Sequence, residues 1–207
     1  MRRLNVVIDP LPTAEDDFVF FKTRSMTRES YLAFVQANPD LRIERKANGE
    51  VIVMPPAHSR TGFQNIRIAS QVDAWAPLDG TGVAFDSSAG FDLPNGANRA
   101  PAAAWVLKSR IAPLTPEERD GYLPLCPDFI IALRSKTDRL SDLHEKMQEY
   151  IDNSARLGWL IDPISFQVFI YRPGIAPETL MRPETLFGNP VPSGFTLDLR
   201  AIWRPEV

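Results

Sequence analysis

Few side chains in this chain could do covalent or metal chemistry. It has one cysteine, Cys126, and two histidines, His58 and His144, among 207 residues. One cysteine excludes an internal disulfide and a thiolate zinc cluster, and two histidines cannot build a three-histidine site. A metal site would have to draw mostly on carboxylates, which favours Mg²⁺ or Mn²⁺. Cys126, between Leu125 and Pro127, reads as a small buried thiol; neither histidine has an obvious relation to it. His58, in Pro56-Ala57-His58-Ser59-Arg60, reads as a surface residue, and His144 as a boundary residue of a helix. No dinucleotide fingerprint, phosphate-binding P-loop, nucleophile elbow or His-Glu-x-x-His is present.

The most informative stretch is two strands and a helix. In Phe129-Ile130-Ile131-Ala132-Leu133-Arg134, strand alternation puts Phe129, Ile131 and Leu133 on one face and Ile130, Ala132 and Arg134 on the other. Ala132 is a small gap between large neighbours, two residues before a cation. In Pro101-Ala102-Ala103-Ala104-Trp105-Val106, three alanines stand where β-branched residues are expected. Lys146 borders the apolar stripe of the next helix, beside Leu143 and Tyr150. On pattern alone, the alanines make room for a packed helix and Lys146 is solvated.

The elements that would position these residues follow from punctuation and periodicity. Nineteen prolines separate short apolar runs, which suits short strands with a few helices. Residues 1–24 read as a loosely attached arm, and 25–207 as a single domain. Ser25 or Thr27 caps a helix to about Gln36, and Asn38-Pro39-Asp40 stops it. Leu41–Lys46, Asn48-Gly49 and Glu50–Met54 form a hairpin. A helix runs from Thr61 to Trp75. Gly82–Phe85, Gly90–Leu93 and Ala102–Leu107 are strands, and Thr115-Pro116-Glu117-Glu118 opens a short helix. Phe129–Leu133 is the most strand-like run. Leu140 to Ile151 is the best helix, with Leu140, Leu143, Met147, Tyr150 and Ile151 on one stripe. Leu157–Ile161 and Phe166–Tyr171 pair, and a tail of weak short strands ends near Leu197–Trp203. The order predicts an α/β (α+β) fold with a mixed sheet.

Composition sets outer bounds. With 44% hydrophobic and 24% charged residues the chain is not obligately disordered. No run of 18 or more apolar residues suggests a membrane span. No secretory start is evident, because Asp9, Glu15, Asp16 and Asp17 come too soon, so cytoplasm is the expected compartment. A net charge of −3 argues against wholesale wrapping of nucleic acid but leaves room for a local basic patch.

Ordered along the chain, these pieces resemble a known family. The matching stretches are Ile43-Glu44 with Gly49-Glu50; Phe85-Asp86-Ser87-Ser88-Ala89-Gly90-Phe91; Leu93-Pro94-Asn95-Gly96; Arg99-Ala100-Pro101; Cys126-Pro127-Asp128-Phe129; Leu133-Arg134-Ser135; Glu145-Lys146-Met147-Gln148-Glu149-Tyr150; and Leu157-Gly158-Trp159-Leu160-Ile161-Asp162-Pro163. No piece is specific alone; their order and spacing carry the resemblance, from about Thr27 to Trp203. The chain resembles the Uma-two family of bacterial endonucleases, within the PD-(D/E)XK nuclease superfamily.

The resemblance implies a restriction-endonuclease-like mixed central sheet flanked by helices, and Mg²⁺- or Mn²⁺-dependent hydrolysis of DNA phosphodiesters. The family pattern has an Asp where Ala102 stands and a Glu where Ala132 stands. In the superfamily those two carboxylates hold the ion, which polarises the scissile phosphate and acidifies the attacking water. Glu44 matches an additional acid of the family and a metal ligand. Arg134 stands at the strand lysine, and Lys146 at a lysine shifted to the next helix, where it would orient water or balance developing charge. A methyl group cannot ligate Mg²⁺, so this chain is expected to bind no ion and to be inactive. Deliberate replacement of both acids and natural loss both explain the alanines; with Glu44, Arg134 and Lys146 intact, replacement is favoured. Arg99, Lys108, Arg110, Arg134, Lys136 and Arg139 are candidate phosphate contacts, each equally readable as a solvated rim. A homodimer is implied, with DNA as substrate of the active parent. The competing class is a non-catalytic nucleic-acid-binding or regulatory module on a nuclease fold. Asp128 and Asp86 read as strand-start and turn residues rather than ligands.

Overall fold

The computed structural model of the chain describes residues 21–22, 25–54 and 56–207. The expected arm over 1–24 lies outside the described residues except for Phe21–Lys22. The chain divides into two compact units, the first ending at Pro56 and the second running from Ala57 to Val207.

In the first unit, strand β1 (Phe21–Lys22) pairs antiparallel with β3 (Val51–Met54), which pairs in turn with β2 (Arg42–Arg45). The Asn48-Gly49 turn closes the β2–β3 hairpin, and Gly49 sits at φ +85°, where a side chain would be strained. Helix α1 (Arg28–Ala37) starts at the Thr27 cap, whose hydroxyl accepts from the N–H of Ser30. Tyr31 is the helix's buried anchor, and its hydroxyl donates to the carbonyl of Ile43 at 3.1 Å.

The second unit is built on a six-stranded sheet in the order β11-β10-β9-β8-β7-β4. Its strands are β4 (Gly82–Phe85), β7 (Ala103–Leu107), β8 (Phe129–Leu133), β9 (Leu157–Asp162), β10 (Gln167–Tyr171) and β11 (Glu178–Met181). All neighbours are antiparallel except β8 and β9, whose parallel pairing requires the crossover helix α5 (Leu140–Asp152). The sheet is therefore mixed, as expected. Helix α2 (Ser59–Asp79) buries Ile68, Val72 and Ala76 with Trp105, Phe129, Ile131 and Trp159. Helix α5 buries Met147, Tyr150 and Ile151 with Ile130, Ala132 and Leu160. Successive residues of β8 alternate between these two apolar layers, and none is exposed.

Smaller elements complete the unit. A ribbon of β5 (Phe91–Asp92) and β6 (Asn98–Arg99) is inserted between β4 and β7, and one of β12 (Thr185–Phe187) and β13 (Thr196–Asp198) follows β11. Helix α3 (Lys108–Ile111) follows β7 directly, and α4 (Pro116–Asp120) opens with a full capping box between Thr115 and Glu118. The predicted helix over Thr61–Trp75 is longer at both ends. It passes Pro77 and stops at Gly80, which takes φ +73°. The predicted strand-like end at Leu197–Trp203 is β13 followed by a helical turn, α6 (Arg200–Trp203). No helix among the described residues is long and apolar enough to cross a membrane.

Gly82 opens β4 against Trp105 of β7, and a Cβ there would fall 2.1 Å from the indole. The indole is held between Trp75 and the core and cannot swing away. Gly82→Ala should therefore destabilise the fold by about 1–3 kcal/mol, read as a lowered urea midpoint with unchanged slope. An unchanged midpoint would show that the β4–β7 contact is looser than described.

Candidate functional site

The predicted acid positions lie where β7 begins and β8 ends. Ala103 pairs with Ile131, Ala104 with Ile130 and Trp105 with Phe129. The N–H of Ala102 donates to the carbonyl of Ile131 at 2.8 Å. Ala102 and Ala103 thus both face Ile131, two residues against one, as in a β-bulge. Both pack in the α2-side layer, whereas Ala132 packs in the α5-side layer. The two alanines adjoin along the ladder but enter different layers, which strand alternation alone does not anticipate. Each is buried, with relative exposures of 8% and 5%.

Helix α5 is tied to the segment before β7 by three residues at helical spacing. The Lys146 amine donates to the carbonyl of Ala100 at 3.1 Å, two residues before Ala102. Glu149, one turn on, takes the buried Arg99 guanidinium at 2.5 Å and the side-chain amide of Asn95 at 3.1 Å. The Asn153 side chain accepts the main-chain N–H of Asn95 at 2.9 Å. Lys146 is therefore held at Ala100, two residues before Ala102, and not left in solvent, and Arg99 is turned inward to Glu149. Glu149 and Asn153 carry this anchoring and were not singled out from sequence; their spacing from Lys146 is the signal that could have found them.

Arg134 is also committed inside the fold. Its guanidinium meets the fully buried Asp162 at 2.8 Å and the carbonyl of Asp138 at 3.3 Å. Asp162 also accepts from the Ser165 hydroxyl at 2.6 Å and the N–H of Ile164 at 2.9 Å. Burial alone would raise its pKa, but the Ser165 and Arg134 hydrogen bonds, with the Ile164 and Ser165 N–H groups, hold it below the ordinary range. Nearby, His144 Nδ1 meets the Tyr171 hydroxyl, and its ring stands edge-on to Phe169. Burial and then Arg134 lower the pKa of His144, which favours the neutral ring, while burial pushes Tyr171 up to about 12.

The remaining candidates sit as follows. Glu44 lies in β2 of the first unit, buried and opposite Ile52. Lys108 donates to the carbonyl of Gly80 at 2.8 Å, and Arg110 meets the buried Asp128 at 3.1 Å. Asp128 also takes the Leu107 N–H at 3.0 Å, so it closes the start of β8 onto the end of β7. Lys136 and Arg139 are exposed. Cys126 is fully buried, its thiol donating to the Tyr150 carbonyl, and burial pushes its pKa up to about 12. A thiol held protonated in this way is unreactive. Asp86 accepts from the N–H and hydroxyl of Ser88, as a turn residue does.

Among the described residues, no group of three or more His, Cys, Asp or Glu is placed to share a metal ion. The methyl groups at 102 and 132 offer no oxygen, so the residues present do not fit the ion that the resemblance implies.

Asp162→Asn would leave Arg134 without its counter-charge and should cost on the order of 3 kcal/mol at pH 7. A carboxylate whose pKa is depressed by folding stabilises fully above its unfolded value of about 3.9 and loses that contribution as pH falls through the folded value. The stability gap between variant and parent should thus narrow as urea titrations move below about pH 4. A gap that stays constant in acid would contradict the Arg134–Asp162 pairing.

Comparison with known proteins matches this architecture. The family described as "Uma2: Putative restriction endonuclease" matches residues 28–200, most of the chain. A crystal structure described as "a putative nuclease belonging to DUF820 from Anabaena variabilis ATCC 29413" superposes with a TM-score of 0.64 at 21% identity. The alignment covers 77% of this chain and 86% of that one, and at that identity it speaks for the fold. No curated protein matches the chain. With its mixed sheet, its crossover helix and the family match over residues 28–200, the chain belongs to the Uma2 family of restriction-endonuclease-like nucleases.

Proposed function

We propose that the chain carries the scaffold of a Mg²⁺- or Mn²⁺-dependent DNA endonuclease that is silent as it stands. The observation that supports this most is the juncture of β7, β8 and α5. There, Lys146 is anchored to the carbonyl of Ala100, two residues before Ala102, Ala132 lies near the end of the neighbouring strand, and both positions that the resemblance assigns to carboxylates carry methyl groups. With Asp at 102 and Glu at 132, the scaffold regains oxygen donors of the kind that a hard cation needs. Lys146 then serves as the cation that balances charge on the phosphate, and its hold on the Ala100 carbonyl fixes where that charge sits. Lys108, Lys136 and Arg139 are the exposed cations proposed to meet the DNA backbone. Arg99 and Arg134, committed to Glu149 and Asp162, act from within the fold. Two copies acting together would address both strands.

A second reading is favoured by the same methyl groups: a nucleic-acid-binding module that has given up hydrolysis. It predicts salt-sensitive DNA binding with no gain of cutting when acids are restored.

The test is the double variant Ala102→Asp with Ala132→Glu, assayed for plasmid cleavage with Mg²⁺ or Mn²⁺ beside the chain as given. Metal-dependent nicking is expected from the double variant alone. Adding Lys146→Ala to it should slow cleavage by about 10²-fold or more. A folded, metal-binding double variant that cuts nothing would sink the nuclease reading and leave the binding module.

A further inference from the structure

A pocket of about 670 Å³ opens in the second unit, between the first turn of α2, the segment after β8, the β9–β10 turn and the residues after α6. That volume falls within the range of about 300–1,000 Å³ typical of small-molecule sites. Neither Ala102, Ala132 nor Lys146 lines it, although Arg134 does. It shares Arg134 and Lys136 with the candidates above but none of the three residues at the juncture of β7, β8 and α5.

Its lining is divided by chemistry. On the polar side are Arg60 and Lys136, both exposed, and no aspartate or glutamate is among the described residues that line the pocket. Arg60 reaches the oxygen of Val207 at 3.3 Å, at the long end of hydrogen-bond range. Arg134 adds positive charge already engaged by Asp162. On the apolar side are Phe166, Trp203, Pro163 and Ile164. Phe166 stands 6.1 Å from Trp203 and is 37% exposed. The Arg182 guanidinium lies 5.0 Å from the ring centroid of Phe166. Phe166 also holds φ +55°, a conformation that suits glycine or asparagine far better than an aromatic residue. The turn itself thus gives no reason for a phenylalanine, and its half-open ring offers a surface on which a flat heterocycle can stack.

We propose that this pocket binds a nucleotide unit, with Arg60 and Lys136 taking the phosphate and Phe166 and Trp203 the base. Guanidinium and ammonium groups supply charge-assisted hydrogen bonds to phosphate oxygens. The aromatic wall supplies sequence-tolerant stacking. The nucleotide can come from free mononucleotide or from a nucleic-acid strand, since both present the same phosphate and base.

The test titrates adenosine 5′-monophosphate into the full chain by calorimetry at low salt, with adenosine and inorganic phosphate in parallel. The nucleotide should bind saturably, and adenosine and phosphate each about tenfold more weakly or worse. Lys136→Glu reverses an exposed charge, and Phe166→Gly removes the ring while suiting the positive φ, so both variants should fold. Each should weaken nucleotide binding about tenfold or more. No saturable binding, binding indifferent to both variants, or inorganic phosphate binding as tightly as the nucleotide would overturn the proposal. Competition by a 5′-phosphorylated oligonucleotide but not its 5′-hydroxyl form would support the pocket and assign it to strand ends. Competition by both would support it for internal phosphates, and by neither for free nucleotide. None of these readouts uses cleavage, so their failure is distinct from failure of the nuclease reading.

Discussion

Strand β8 is bonded antiparallel to β7 and parallel to β9, and each of its five residues is buried. Because its side chains alternate between two apolar layers, a slip of one residue would exchange Ile130 and Ala132 with Phe129 and Ile131 across the sheet. The register is therefore fixed by burial on both faces. It also fixes where Ala132 and Arg134 emerge. The parallel partner β9 requires a crossover, and the crossover is α5, which brings Lys146 and Glu149 to the segment before β7. The arrangement of candidate residues follows from that one strand.

Charge in this region is paired largely within the fold. Arg134 with Asp162 ties the ends of β8 and β9, Arg99 with Glu149 ties α5 to β6, and Arg110 with Asp128 closes the start of β8. Such pairs add little net stability over apolar contacts, yet losing one partner leaves a costly buried charge. They hold the juncture of β7, β8 and α5 in shape whether or not chemistry occurs there. That explains how the scaffold stays folded with methyl groups at both positions that the resemblance assigns to acids: each is buried among apolar neighbours and leaves no polar group to satisfy.

Much of this was legible in the sequence, and the reason is periodicity. Gly82–Phe85 and Phe129–Leu133 appear as predicted, because turn residues bound them and their runs are short and apolar. Helix α5 extends only one residue past its predicted end, since its stripe is read at 3.6-residue spacing. The family resemblance, carried by ordered short motifs, agrees with the match over residues 28–200. What sequence did not show is local or long-range. Helices α3 and α6, of four residues each, are too short to show a period. The doubled alanine opposite Ile131 interrupts the regular alternation of β7, so Ala102 and Ala132 enter different layers. The pairing of Arg99 with Glu149 joins residues 50 apart, which no spacing rule reaches. The pocket gathers segments from both ends of its unit, so its lining exists only once the sheet is formed.

The proposed nuclease reading requires that carboxylates at 102 and 132 suffice to create a metal site. The most direct measurement is Mg²⁺ and Mn²⁺ titration by calorimetry of the double variant Ala102→Asp with Ala132→Glu, beside the chain as given. The account predicts saturable binding by the double variant, accompanied by a metal-dependent rise in melting temperature, and no specific binding by the chain with alanines. Equal binding by both proteins, or none by a folded double variant, would contradict it.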